Sequence, residues 1–206
     1  NINSIIDIGG CYGGFISLLA ESLPQKSYTL VDLGENIPLA AYYITNVLKD
    51  KKINVINKKI DILPIEDNII NLVPAHLFEV VSNKQFDLCC NYVSLGEMSN
   101  EHFNEFINSN VYKNSKYKHI VNRVSSSPYY MKDTFHSWSN SQTILDYNLS
   151  GNIKYFDIFP FSHFFPLTES SKYQSVDLSL KELKSFISSW KRCPVSSQQF
   201  ECILES

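Results

Sequence analysis

The stretch Ile5–Gly14 reads Ile-Ile-Asp-Ile-Gly-Gly-Cys-Tyr-Gly-Gly and decides the fold. Its first residues form a short β-branched run, which is typical of a buried strand, and the glycines that follow indicate a tight turn. From Gly14 apolar residues recur at helical spacing until Pro24, so a helix follows the turn directly. A strand, a glycine loop and a helix in immediate succession indicate an α/β fold with parallel strands.

The alternation of strands and helices continues along the chain. A second strand at Tyr28–Val31 leads into Asp32 and a helix, and the third strand comes from either Ile53–Ile60 or Ile69–Val73. We favour Ile69–Val73, because a turn-forming Asp-Asn pair precedes it and a proline ends it. Further strands are predicted at Phe86–Cys90, His119–Val124, Tyr155–Phe159 and Phe200–Leu204, and further helices from Ser99 and over Leu180–Trp190.

Length and composition exclude several classes of protein. The 206 residues suffice for one domain, 1–206, and the net charge of -3 argues against a nucleic-acid partner. No apolar run approaches the roughly 18 to 20 residues of a membrane span, and the first residues lack the basic, apolar and small-residue pattern of a signal peptide, so we expect neither membrane insertion nor secretion. Five cysteines without a C-x-x-C pair predict reduced thiols and a cytoplasmic protein. Because the chain starts at Asn1, close to a strand, we expect a piece of a longer protein with neighbouring domains.

Residues suited to binding a nucleoside cluster around the first predicted turn. Asp7, Gly9, Gly10 and Gly13 lie at the carboxyl end of the first strand, where an open α/β sheet binds its ligand. The glycines let the backbone approach a ligand closely, and the helix that follows points free N–H groups towards a ligand carboxylate. Asp32 ends the second strand and can accept the hydroxyls of an adenosine ribose. Together these residues predict an adenosine-type ligand.

Two residues favour one adenosine ligand over another. A dinucleotide site requires G-x-G-x-x-G, but Cys11 stands at the middle glycine and its Cβ would crowd a pyrophosphate. The Asp7 carboxylate is unfavourable beside phosphates and suits an amino group and a sulfonium, both of which S-adenosylmethionine carries. An NAD-dependent oxidoreductase is the first alternative. A non-catalytic methyltransferase-like binding module is the second.

At three motifs the chain resembles the class I S-adenosylmethionine-dependent methyltransferases: Asp7-Ile8-Gly9-x-x-x-Gly13, Asp32, and Phe86-Asp87-Leu88 leading to Asn91. More narrowly, it resembles the sugar O-methyltransferases at Ile8–Gly14, at Val31–Leu33 followed by Tyr42-Tyr43, and at Asn91–Met98. This likeness runs from Ile5 to Arg123, with Cys11 where the family usually has glycine. It implies a Rossmann-like, mostly parallel sheet of seven strands with the last strand antiparallel and helices on both faces.

The resemblance also implies an activity and a set of cofactor residues. The activity is transfer of a methyl group from S-adenosylmethionine to a saccharide hydroxyl, with a small molecule or a glycan as the acceptor. His76 stands where the family contacts the adenine, and Asn91 and Tyr92 stand beside the methyl donor. The implied cofactor residues are Asp7, Gly9, Gly10, Tyr12, Gly13, Asp32, Leu33, Ala75, His76, Asn91 and Tyr92.

The catalytic base is less clearly marked than the cofactor loop. Methyl transfer to a hydroxyl is an in-line displacement, aided by a base that takes the hydroxyl proton. Glu97 is our candidate because it follows the fourth predicted strand, although it could instead cap the helix that begins near Ser99. The rival bases are His102, His136 and His163. No histidine pair has i, i+4 spacing with a carboxylate, so no metal site is predicted.

Overall fold

The computed structural model describes residues 2–58, 69–123, 144–159 and 199–206. The strands are β1 (Ser4–Ile8), β2 (Ser27–Asp32), β3 (Lys52–Val55), β4 (Ile69–Pro74), β5 (Leu88–Tyr92), β6 (Tyr117–Arg123), β7 (Asn152–Phe159) and β8 (Gln199–Glu205). The α-helices are α1 (Gly14–Ser22), α2 (Asn36–Val47), α3 (Glu79–Ser82), α4 (Asn100–Asn108) and α5 (Asn110–Asn114), and 3₁₀ turns lie at Ala75–Leu77, Leu95–Glu97 and Ile144–Tyr147.

The chain divides into two compact units. The first holds the residues up to Tyr92 and Ser109–Lys116, and the second holds Val93–Asn108 and Tyr117–Ser206.

Five strands of the first unit form a parallel sheet in the order β3-β4-β2-β1-β5. β1 lies between β2 and β5, so that Asp7 has Leu30 opposite it on one side and Cys90 on the other. The chain first builds the sheet outward on the β2 side and then returns to add β5 on the other side of β1. Such a reversal is the point at which open α/β sheets bind ligands, beyond the carboxyl ends of the strands.

Both faces of this sheet are buried. On one face, α1 and α2 pack with strand side chains in one apolar cluster, whose buried members are Ile5, Ile16, Ala20, Tyr28, Leu30, Ile37, Ala40, Ile44, Ile70, Leu72 and Cys90. Side chains that alternate with these along the strands, such as Ile6, Ile8 and Val31, are buried as well. Burial on two faces accounts for the mostly apolar sequences of these strands, which do not alternate between apolar and polar residues.

The second unit is built on antiparallel strands in the order β6-β8-β7. Every second residue of β8 is buried, at Phe200, Cys202 and Leu204. The Tyr147 ring makes edge-to-face contacts with Phe103, at a centroid distance of 5.2 Å, and with Phe200, at 5.5 Å. These aromatic contacts form part of the apolar interior of the described portion of this unit.

The structure confirms an α/β architecture of mostly parallel strands in which the last strand is antiparallel. The predicted count of seven strands is wrong, because the described residues alone form eight. The two candidates for the third strand are not alternatives: Lys52–Val55 is an edge strand, and Ile69–Pro74 pairs between it and β2. The predicted helix at Leu180–Trp190 lies outside the described residues.

The described cysteines are all free thiols. Cys89, Cys90 and Cys202 are buried, where a thiol packs as a small apolar group, whereas Cys11 is exposed. Among the helices that the structure describes, none combines the length and the apolar character that crossing a bilayer requires.

Candidate functional site

The loop Gly9–Gly13 connects β1 to α1 and is held by backbone hydrogen bonds. The Gly9 N–H donates to the carbonyl of Val31 at 2.7 Å, and the Gly13 N–H donates to the carbonyl of Gly10 at 2.9 Å. Gly9 and Gly13 have φ angles of 77° and 83°, which L side chains rarely adopt. Cys11 shares this left-handed conformation, with a φ of 51°, although it carries a Cβ. The loop therefore needs its glycines, and it leads directly into the first turn of α1.

Gly10 lies against the Asp7 carboxylate. A Cβ built on Gly10 would come within 2.8 Å of Asp7 Oδ2 and 2.7 Å of Leu30 Cδ1. Real Cβ atoms essentially never approach another heavy atom below 3.0 Å, so no larger residue fits here without a shift of its neighbours. The absent side chain allows the loop backbone to lie directly over the end of β1.

Asp7 is the unusual residue of this loop. Its relative exposure is 1 %, and neither carboxylate oxygen has a hydrogen-bond partner within the described parts of the chain. Burial, with a further contribution from the negative charge of Asp32, raises the pKa of Asp7 from 3.8 to about 7. A buried acceptor without a donor is costly, and native proteins retain few of them. The carboxylate is therefore suited to a ligand that brings a donor or a positive charge.

Asp32, at the end of β2, connects the glycine loop to the start of α2. Its Oδ2 accepts a hydrogen bond from the Cys11 N–H at 2.5 Å. Its Oδ1 accepts from the Leu33 N–H and from Asn36 Nδ2, both at 2.7 Å. Because a carboxylate offers about four acceptor positions, one position on Oδ2 is left. Asn36 was missed by the sequence analysis, although an amide four residues after an acid at a helix start could have indicated this contact.

The carboxyl end of β4 brings further predicted residues to the same loop region. The 3₁₀ turn that follows β4 contains Ala75, which is partly buried, and His76, which is exposed. A Cβ built on Gly34 would lie 3.7 Å from His76 Nδ1, so the imidazole lies beside the turn that follows Asp32. Leu33 in that turn is 56 % exposed. Leu33 and His76 thus leave apolar and aromatic surface open next to Asp32.

The carboxyl end of β5 is tied to β1 and α1. Asn91 is buried, and its Nδ2 donates a 2.6 Å hydrogen bond to the carbonyl that ends β1. The Tyr92 ring packs against Phe15 in the first turn of α1, at a centroid distance of 4.3 Å. Tyr12, in the loop, makes an edge-to-face contact with Tyr43 of α2 at 4.9 Å. All the predicted cofactor residues therefore belong to the first unit and lie at the carboxyl ends of its strands or in the loops that follow them.

The predicted catalytic residues lie elsewhere in the chain. Glu97 is exposed in a 3₁₀ turn and His102 is exposed on α4, and both belong to the second unit. The Ser99 hydroxyl accepts from the His102 N–H at 3.3 Å, so Ser99 caps α4. The other two candidates, His136 and His163, lie outside the described residues. In the described part of the chain, no group of three or more His, Cys, Asp or Glu side chains is placed to hold a metal ion.

No model of a known protein family matches the chain, and no curated protein matches it. Solved structures do match over its whole length. The plantazolicin methyltransferase BpumL in complex with SAH is 13 % identical, with a TM-score of 0.52, and 77 % of that chain is covered. BamL, a plantazolicin methyltransferase in complex with a triazolic desmethylPZN analog and SAH, is 15 % identical with a TM-score of 0.51 and 77 % covered. StiE O-MT, residues 961–1257, is 9 % identical with a TM-score of 0.54 and 68 % covered. At such identities the likeness concerns the fold, which is the Rossmann-like fold of these methyltransferases.

Proposed function

We propose that this protein is an S-adenosylmethionine-dependent O-methyltransferase whose acceptor is a saccharide hydroxyl. The observation that carries the proposal is the buried Asp7 carboxylate, which has no hydrogen-bond partner among the described residues and lies beneath a glycine loop and near Asp32. The fold supports it as well, since BpumL and BamL share that fold and were solved in complex with SAH. A nucleoside that carries positive charge fits these residues better than a dinucleotide, whose phosphates Asp7 would repel.

The residues of the first unit fit this cofactor group by group. Asp7 offers two unused acceptor oxygens to a cationic group, and Asp32 offers its remaining acceptor position to a ribose hydroxyl. The first turn of α1 follows a left-handed Gly13 without a side-chain cap, so its N–H groups suit the amino-acid carboxylate. Leu33 and His76 supply the open surface on which adenine would lie. When bound, the cofactor supplies a methyl group on a positively charged sulfur.

The residues of the chain itself bind the cofactor, orient the acceptor and remove a proton from it. Gly10 lets the loop backbone come close to the ligand. The hydrogen bond from Asn91 to the last carbonyl of β1 fixes the end of β5 beside the end of β1. Glu97 takes the proton of the acceptor hydroxyl in this proposal, with His102 and His136 as rival bases. Positioning of the acceptor for in-line attack supplies most of the rate, and a base adds about 10²- to 10⁴-fold.

The saccharide assignment is supported by the sequence around the end of β5. Asn91–Met98 and the loop Ile8–Gly14 resemble the sugar O-methyltransferases in residue type and spacing. A small sugar or a glycan is the expected acceptor. Transfer of labelled methyl groups to a panel of monosaccharides and oligosaccharides tests this, and transfer only to phenols or to peptides would overturn the saccharide part alone.

Cofactor binding is tested by calorimetry with S-adenosylhomocysteine (SAH). Replacing Asp32 with asparagine removes one charged acceptor and should weaken SAH binding by about 1–3 kcal/mol, or about 5- to 150-fold. The matched control is Glu35→Gln, which neutralises an exposed acid three residues further on and should bind SAH as the wild type does. No SAH binding at millimolar concentration, or binding of NAD in its place, would refute the proposal.

A further inference from the structure

We propose that Asp7 couples cofactor binding to the loss of a proton. When the ligand binds, the proton of the Asp7 carboxyl group leaves to solvent, and a positively charged group of the ligand takes its place. This inference rests on the proposed function and deepens it, because it makes Asp7 the residue that distinguishes a cationic ligand from a neutral one. It predicts that affinity rises with pH over the range in which Asp7 ionises.

The position of Asp7 leaves its charge uncompensated in the free protein. It lies on β1, an interior strand of the parallel sheet, between Leu30 and Cys90, and so faces the cluster formed with α1 and α2. Gly10 lies against its Oδ2, and neither oxygen accepts a hydrogen bond from the described residues. An ionised carboxylate is unstable in such surroundings, whereas the protonated acid tolerates them. A positively charged ligand group bound at the loop would instead favour the ionised carboxylate over the protonated acid.

The groups around Asp7 act in the same direction. Asp32, at the end of β2, adds negative charge and so favours the protonated acid. Cys90, opposite on β5, stays neutral, because burial and the nearby Asp7 raise the pKa of its thiol well above 9.0. Tyr28 on β2 is neutral as well, since burial raises its pKa to about 12. Two further phenols, those of Tyr43 and Tyr92, pack against the same cluster. The buried side chains that α1 and α2 contribute to the cluster are Ile16, Ala20, Ile37, Ala40 and Ile44, none of which ionises.

The size of the effect follows from the pKa of about 7. At pH 7 about half of the free molecules hold the proton, so binding of a cationic ligand should release about half a proton per site. If the ligand binds the ionised form, its dissociation constant should be about eightfold higher at about pH 6 than at about pH 7.5. This range stays below the pKa of an ordinary α-amino group, about 7.7–8.0, which limits titration of the ligand itself.

The experiment is calorimetry of the whole chain with S-adenosylmethionine, SAH and 5′-methylthioadenosine, in buffers of different ionisation enthalpy. S-adenosylmethionine and SAH should release protons, whereas methylthioadenosine, which has neither ammonium nor sulfonium, should release none. Equal release by the first two assigns the interaction to the ammonium, and greater release by S-adenosylmethionine assigns it to the sulfonium. Asp7→Asn should abolish the release and flatten the pH dependence. The matched control Glu21→Gln, exposed on α1, should keep both.

The outcomes separate this inference from the proposed function. SAH binding without proton release, with proton uptake, or with the same pH dependence in Asp7→Asn as in the wild type would overturn the inference and leave the proposed function intact. Absence of SAH binding would overturn both. If Asp7→Asn fails to fold, the proton count of the wild type with SAH and with methylthioadenosine decides the question by itself.

Discussion

The buried Asp7 carboxylate should make the folded protein less stable as the pH rises. Its pKa is about 7 in the folded state and 3.8 ordinarily, so between these values the folded state binds more protons than the unfolded state. The free energy of unfolding therefore falls as the pH increases, and the loss is complete above about pH 7. Replacing Asp7 with asparagine keeps the shape of the side chain and removes this pH dependence.

The expected magnitude follows from the shift of about three pKa units. Each unit corresponds to 1.36 kcal/mol, so ionisation of Asp7 costs the folded state about 4 kcal/mol in full. About 3 kcal/mol of this should develop between about pH 4.5 and about pH 7.5. The buried amide of the Asp7→Asn variant also lacks partners, which costs about 1–3 kcal/mol, but that cost is the same at every pH and cancels from the comparison.

The assay is urea unfolding of both proteins at several pH values without ligand. The free energy of unfolding of Asp7→Asn, relative to the wild type, should become about 3 kcal/mol more favourable over that range. Glu21→Gln serves as the control, because Glu21 is exposed and its variant should follow the wild-type profile. Parallel profiles for Asp7→Asn and the wild type would show that Asp7 titrates normally, and the reasoning about its burial would then be wrong.

Two further predictions concern the loop and the proposed base. Gly10→Ala should lower the free energy of unfolding by about 1–3 kcal/mol, because its Cβ would overlap Asp7 and Leu30, whereas in Gly34→Ala the nearest atoms are 3.7 Å away and the change should stay within about 0.5 kcal/mol. Urea unfolding measures both variants, and equal losses would contradict the packing argument. Glu97→Gln should lower kcat by about 10²-fold or more with SAH affinity unchanged, whereas Glu101→Gln, also exposed and close in sequence, should keep the wild-type rate. A normal rate in Glu97→Gln would remove Glu97 from the proposed mechanism.

The parallel half of the fold could be predicted because its strands are short, apolar and buried on both faces. Strands such as Ile5–Ile8 and Tyr28–Val31 are mostly apolar or aromatic runs, interrupted only by Asp7 and Thr29 and followed by Gly or Asp, and the structure extends each by only a residue or two. Lys52–Val55 could not be ranked in the same way. It is an edge strand whose first and last residues are exposed, so its sequence lacks the apolar pattern that marks a buried strand.

The residues of the candidate site could be located from sequence, but their interactions could not. The glycines and the acids at strand ends mark the edge of a sheet, because only a few residue types suit a left-handed turn or an approach as close as that of Gly10. Whether a carboxylate is partnered depends on contacts between distant segments. Asp32 ends β2 and Asp7 comes one residue before the end of β1, yet the first accepts three hydrogen bonds and the second accepts none from the described residues.

That contrast connects the architecture of the site to its chemistry. Asp32 ties Cys11 and Asn36 together, so it stabilises the loop, while its charge makes ionisation of Asp7 harder. Asp32→Asn should therefore loosen the loop and at the same time lower the pKa of Asp7. A carboxylate that destabilises the folded protein near pH 7 is expected where binding energy can offset the cost, and Asp7 lies at the edge of the sheet where a cationic ligand would supply it. Ligand binding should accordingly stabilise the wild type more than Asp7→Asn, and more so at pH 7.5 than at pH 6.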